Sequence, residues 1–445
     1  MQKDRRNKIS LTMLIIFILI GIFAVILMFS SIAEDKKVGD INSAIVLNQV
    51  VEPIIENNNI TNQIEAPIVI ESMEDSFSLE FLKMENNKSN MIYSPLSIKY
   101  ALAMLAEGAN GNTKTQIDNV IGRLNFTKYK NIEKIISLAN GIYIREDFAQ
   151  YVKENFRDNM INKFEAEVKY DSFSNANNVN SWIENKTFGI LKNVLTDDIV
   201  TQSEMLLINA LAIDMNWVNE FDEGRTSGLP FYKENGENIN ATTMRKETKS
   251  ENISYYKDDN ITAITMDLKK YNDTQLEFMA IMPEKNLDEY IKTITLKDVK
   301  EITNKLEKAS NTPNGIEISI PKFEFNYNLQ LKEDLKRLGI EDAFNSEKAD
   351  FSNMAEIGLH VSKAIHQADI KFSEEGIRAA AVTIFAMDKN SMLLPEYQPI
   401  TVRIDKPFMF LIRDKATGEI WFVGTMYEPN LWENDKSEYT YNLEY

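Results

Sequence analysis

The sequence predicts an α+β domain, with helices concentrated in the first part of the chain and long antiparallel strands in the last. Apolar residues recur at helical spacing in the early segments, and extended strand-like runs dominate later ones. Between residues 75 and 430 there is neither an internal repeat nor a linker-like change of composition, which favours one domain of about 355 residues within the 445-residue chain.

The elements follow in order. Residues 78–84 and 97–107 carry apolar side chains on one helical face. The second run starts just after Ser94-Pro95 and stops at Gly108, a pairing of start and stop signals. Helices are also expected over 113–121, 148–164, 176–188 and 288–310. Strands are expected over 205–215, 276–282, 316–325, 359–372, 400–404 and 408–413. The turn from Asp414 to Gly418 joins the last of these to a strand over 419–427, making a β-hairpin.

Composition removes several functions. With 67 acidic and 49 basic residues the net charge is −18, which repels phosphate backbones, so no nucleic-acid partner is expected. The absence of cysteine excludes a disulfide scaffold, a zinc ribbon, an iron–sulfur cluster and a cysteine nucleophile. The two histidines, His360 and His366, are six apart, which excludes HExxH, and no GxSxG carries a nucleophilic serine. Both lie in a strand-like stretch and read as satisfied core residues. Gly108 and Gly111 are three apart and lack the spacing of a phosphate loop, so they read as the end of one helix and the start of the next. No catalytic residue, metal or cofactor is expected, and the chain reads as a non-enzyme. An exported hydrolase remains only as a third class.

The N-terminus departs from the bulk. Residues 11–29 form a 19-residue run without charge, flanked by Lys3, Arg5, Arg6 and Lys8. As a helix it spans about 28 Å, enough for a hydrocarbon core of about 30 Å. The basic flank belongs in the cytoplasm, which places the rest outside the cell as a single-pass membrane protein. Ser31 and Ala33 have the small-x-small spacing of a cleavage site, so secretion after cleavage near Ala33 is the alternative. The expected divisions are a cytoplasmic flank over 1–10, an anchor or uncleaved signal over 11–33, a linker over 34–74, the domain over 75–430 and a tail over 431–445. The linker reading rests on two prolines, many asparagines and apolar runs without a period.

Several motifs, in order, resemble the serpins. Ser94-Pro95-Leu96-Ser97-Ile98, Ala106-Glu107-Gly108-Ala109 and Thr113 to Ile117 resemble the family's early helices. Asn209-Ala210 with Trp217 and Phe221, Ser319 to Phe323, Leu335 to Ile340 with Phe344, and Val361 to Ala368 continue the match. Glu374 to Ala381 resembles the hinge, and Asp405 to Ile412 with Gly424 and Pro429 resembles the C-terminal strands. The resemblance implies helices packed on three β-sheets, with an exposed reactive loop that serves as bait. An extracellular serine protease, with cysteine proteases as a second class, attacks the loop and is trapped as an acyl-enzyme when the cut loop inserts into the main sheet. A monomer is expected, with a covalent protease complex as its functional partner state.

The same resemblance assigns residues. Glu374, Glu375, Gly376, Ile377, Ala379, Ala381 and Thr383 match the hinge, and its usual spacing puts the reactive bond between Asn390 and Ser391. The long stretch to Pro407 leaves Lys389, Met392 and Leu393 as alternatives. Ser94, Ser97, Asn209 and His366 match a polar cluster beneath the opening in the sheet, and Trp217 matches an aromatic at its top.

The loop residues suit insertion on their own terms. Ile377, Ala379, Ala381, Thr383, Phe385 and Met387 form one uncharged face, while the alternate set holds both charges, Arg378 and Asp388. Inhibitory members usually have a small Thr or Ser where this chain has Ile377. That departure supports the alternative of a non-inhibitory binding or structural surface protein. Burying the apolar side chain is favourable by about 1.5–3 kcal/mol where there is room.

Overall fold

The computed structural model describes residues 43–49, 73–122, 129–249, 252–309, 315–378 and 399–432. Strand β1 (Ala44–Gln49) precedes helix α1 (Met73–Glu85), strand β2 (Met91–Tyr93) and helices α2 (Pro95–Gly108) and α3 (Gly111–Ile121). Then come β3 (Ile136–Arg145), α4 (Glu154–Phe164), β4 (Glu167–Asp171), α5 (Asn177–Lys186), α6 (Asp197–Thr201) and β5 (Met205–Asn216). Strands β6 (Ser227–Tyr232), β7 (Asn238–Thr248), β8 (Ile253–Lys257), β9 (Ile261–Asp267) and β10 (Leu276–Pro283) lead to α7 (Leu287–Thr293) and α8 (Leu296–Ala309). The chain continues through β11 (Ile316–Pro321), β12 (Phe323–Gln330), α9 (Leu331–Arg337), β13 (Leu359–Phe372) and β14 (Gly376–Arg378). It closes with β15 (Ile400–Arg403), β16 (Phe408–Asp414) and β17 (Ile420–Met426).

Three sheets result. The first runs β12, β13, then β1 and β14, then β5, β3 and β4. The second runs β2-β17-β16-β10-β9-β8 and the third β15-β11-β7-β6. Both faces of the first sheet are covered. Leu207, Leu211 and Ile213 of β5 enter the large core with the second sheet and the early helices, while Leu206, Ile208 and Ala210 enter a second core with α5 and α6. This is the α+β arrangement of helices on three sheets.

Several boundaries differ from the sequence expectation for identifiable reasons. The expected helix 148–164 is a short turn followed by α4, because Lys153 donates its N–H to Met354 O at 2.9 Å and Val152 bridges Ala355. The expected helix 288–310 breaks at Ile294–Thr295, where Thr295 and Asp298 exchange hydrogen bonds as a capping box that restarts the helix as α8. The expected strand 316–325 is two strands in two sheets, turning at Lys322, whose N–H bonds to Thr242 O at 2.8 Å. His360 is half-buried, its Nδ1 without a partner among the described residues, rather than a satisfied core residue.

The expected linker 34–74 is also not all linker. Ala44–Gln49 is a strand of the first sheet, and α1 starts within its last residues. The apolar run 11–29 lies outside the described residues. Among those described, no helix is long and apolar enough to cross a membrane. Leu431 and Trp432, placed in the tail by sequence, pair with β7: Leu431 bridges Ala241 and Trp432 N–H donates to Asn240 O at 2.9 Å.

Candidate functional site: the opening in the main sheet

Among the described residues no ladder pairs β13 directly with β5. Strand β14 lies between them. After β13 the chain turns through Ser373, whose N–H donates to Gly376 O at 3.0 Å, and returns as β14. Ile377 lies opposite Phe372 on β13 and Met215 on β5, and Gly376 lies opposite Asn216. A Cβ at Gly376 would overlap Met215 O and stand 2.7 Å from Asn216 Cα, so backbone contact on that side leaves room only for glycine. Ile377 is 2% exposed, so the sheet accommodates this branched side chain.

The turn is held at its top. Trp217 N–H donates to Glu375 O and its indole Nε1–H to Ser373 O, both at 2.9 Å, while Phe221 N–H donates to Glu374 O at 2.9 Å. Trp217 packs edge-on against Phe372, which stacks on Phe323. Glu374 is buried and accepts from Lys322 Nζ at 2.7 Å and Thr226 Oγ1 at 2.8 Å. Burial raises its carboxyl pKa, but the bonds from Lys322, its own backbone and Thr226 outweigh that and hold it below the ordinary value. Lys322 therefore joins the corner of β11 and β12 to the turn between β13 and β14. This partner was hidden in the sequence, 52 residues from Glu374.

Lower down, Ser94, Ser97 and His366 form a fully buried polar cluster. Ser94 caps α2, accepting from Ser97 N–H at 3.0 Å. Its own N–H donates to His366 Nε2 at 2.8 Å. That nitrogen must be unprotonated, so the neutral ring carries its hydrogen on Nδ1 and donates it to Ser43 Oγ at 2.7 Å. Burial pushes the imidazole pKa down to about 3. Asn209 stands across the opening, where its N–H donates to Ser43 O at 3.0 Å and its side chain to Asn140 Oδ1 at 2.8 Å. Ser43, just before β1, thus bridges the two sides and was absent from the expected cluster. Trp217 stands apart from this cluster, at the turn between β13 and β14.

Of the other residues assigned from sequence, Glu374 and Glu375 lie in the turn after β13, and Gly376 and Ile377 begin β14. Ala379, Ala381 and Thr383, the bond Asn390–Ser391 and the alternatives Lys389, Met392 and Leu393 lie outside the described residues. Among the described residues no group of acidic or histidine side chains is arranged to hold a metal.

Comparison with known proteins agrees with this architecture. The chain is 28% identical over 456 aligned positions to an uncharacterised serpin-like protein of Methanosarcina acetivorans, covering 96% of this chain and 100% of that one. It superimposes on the thermophilic serpin tengpin in its native state with a TM-score of 0.65 at 26% identity, covering 82% of this chain and 97% of tengpin. A complex of thyroxine-binding globulin with thyroxine shares the fold, with a TM-score of 0.65, 24% identity and coverage of 81% and 98%. The family model described as "Serpin (serine protease inhibitor)" matches residues 72–429, and the chain belongs to the serpin family.

Proposed function

We propose that this protein inhibits proteases as a suicide substrate. The nucleophile of a serine protease, with cysteine proteases as a second class, attacks the carbonyl of Asn390 and expels the amine of Ser391, leaving an acyl-enzyme. On another reading of the spacing the bond follows Lys389, Met392 or Leu393. Insertion of the cut loop between β13 and β5 then traps the enzyme before water releases it. This places the native fold behind a kinetic barrier rather than at its lowest free energy. What supports the reading is the strand after β13: β14 is already seated between β13 and β5, which share no ladder among the described residues, with Ile377 buried between them.

The test mixes the full chain with trypsin-, chymotrypsin-, subtilisin-like and asparagine-preferring proteases. The expected result is a covalent complex with at least one of them that survives boiling in detergent. Clean cleavage within residues 379–398, with no complex in any pairing, would instead favour a non-inhibitory binding or structural protein.

The proposed location is outside the cell, with residues 11–29 as a membrane anchor and release after cleavage near Ala33 as the alternative. The support is the uncharged run and its basic flank. The mass of the mature protein and its partition between membrane and medium decide between the two.

A further inference from the structure

β1 and β14 share one position in the main sheet, and both run antiparallel to β13 and to β5. The two segments lie far apart in sequence but can be placed on one register. Continuing the β14 ladder along β13, from Ile377 opposite Phe372, would set Thr383 opposite His366 and Ile384 opposite Ile365. Continuing it along β5, from Ile377 opposite Met215, would set Ile384 opposite Ile208. Ile365 and Ile208 are the residues that flank Ala44. At the far end Gln49 lies opposite Leu359, the place the same register gives to Asn390. The two ladders agree from Ala44 to Val46, the places of residues 384–386; beyond a register shift between Val46 and Leu47 the β13 ladder alone carries β1 to the place of Asn390, so β1 spans the places of residues 384–390 with one residue fewer.

The sequences agree as well. Ser43-Ala-Ile-Val-Leu-Asn-Gln49 is a hydroxyl residue, four apolar residues and a polar end. Thr383-Ile-Phe-Ala-Met-Asp-Lys-Asn390 has the same order. Ile45 and Leu47 enter one core and Ala44 and Val46 the other, so β1 fills both faces of the slot as an inserted loop must. Ser43 bonds to His366 Nδ1, and Thr383 is the loop residue whose register falls on His366.

We infer that residues 43–49 are an internal strand ligand of the insertion slot, competing with the protein's own reactive loop. While β1 is seated, insertion stops at Thr383, and insertion as far as Asn390 requires β1 to leave. Residues 50–72 span up to about 75 Å when extended, so β1 can leave without displacing α1. The N-terminal segment therefore acts as a brake on loop insertion. This inference rests on the insertion reading above.

The test uses the full chain, which has no native cysteine, carrying Asn48→Cys and His360→Cys at register partners of β1 and β13. Neighbouring antiparallel strands place such pairs within disulfide range. The loop is cut once in the oxidised form and once in the reduced form. The melting temperature is expected to rise by more than about 10 °C when reduced and by less than about 3 °C when oxidised. Equal large rises in both forms would overturn the brake and leave loop insertion standing, whereas no rise in either would overturn insertion and the brake with it. In the unaltered chain, the amides of residues 43–49 are expected to be protected from hydrogen exchange before the cut and to exchange after it. Protection that survives the cut, together with a large melting rise, would also overturn the brake.

Discussion

Replacing His366 with alanine is expected to lower the stability of the native state by about 3 kcal/mol, the largest effect of any single change at the site. The imidazole accepts from Ser94 N–H and donates to Ser43 Oγ in a fully buried place. Truncation leaves that N–H without a partner, loses two bonds worth about 1 kcal/mol each and opens a cavity. The chain is then expected to melt several degrees lower and to form inserted or polymeric species on mild heating. Unchanged melting and a monomeric product would contradict this role. His366→Gln tests the charge separately. The folded ring stays neutral down to about pH 3, whereas an unfolded histidine takes up a proton below about pH 6.5. The depressed pKa makes this contribution fully present above pH 6.5 and lost as pH falls toward 3, by about 1.4 kcal/mol per unit. The advantage of the parent chain over His366→Gln is therefore expected to shrink by about 2 kcal/mol between pH 6.5 and pH 5. An advantage that holds constant over that range would show that the ring is not buried neutral.

Gly376→Val has the second largest expected effect, and it falls on insertion rather than on overall stability. The new Cβ would meet two backbone atoms of β5, Met215 O and Asn216 Cα, neither of which can rotate away. β14 must then leave the sheet or push β5 aside, and the bonds that tie Trp217 and Phe221 to the turn would be lost with it. If inhibition depends on this strand, each 1.4 kcal/mol added to the insertion barrier slows trapping about tenfold. The protease then completes hydrolysis and leaves as active enzyme. The expected readout is a shift from covalent complex to cleaved product by at least about tenfold, with the second and third sheets still folded. An unchanged ratio would remove the seated hinge from the mechanism.

What the sequence revealed and what it hid follow from how each element is buried. Strand β13 was legible to its ends because it is a long run, Leu359–Phe372, with apolar residues spread along its whole length and no proline or glycine to break it. Helix α2 was legible from Ser94, Pro95 and Gly108. β1 was not, because it is buried on both faces, which removes the alternation that marks a half-exposed strand and leaves a short apolar run in an asparagine-rich stretch. β14 has three residues, too few to show any period. The polar cluster could be assembled only through resemblance to the family, since Ser94 and His366 lie 272 residues apart and no local pattern joins them. Ser43 escaped even that route because it lies outside the residues that carry the resemblance.

The proposed mechanism requires the cut loop to enter the slot between β13 and β5. Amide hydrogen exchange over residues 379–390 in the full chain, followed by mass spectrometry before and after a single cut in the loop, tests this most directly. These amides are expected to become protected by at least about a hundredfold after the cut, in step with a higher melting temperature. A cut loop whose amides exchange as fast as an unstructured peptide, with β5 and β13 unchanged on either side, would contradict it.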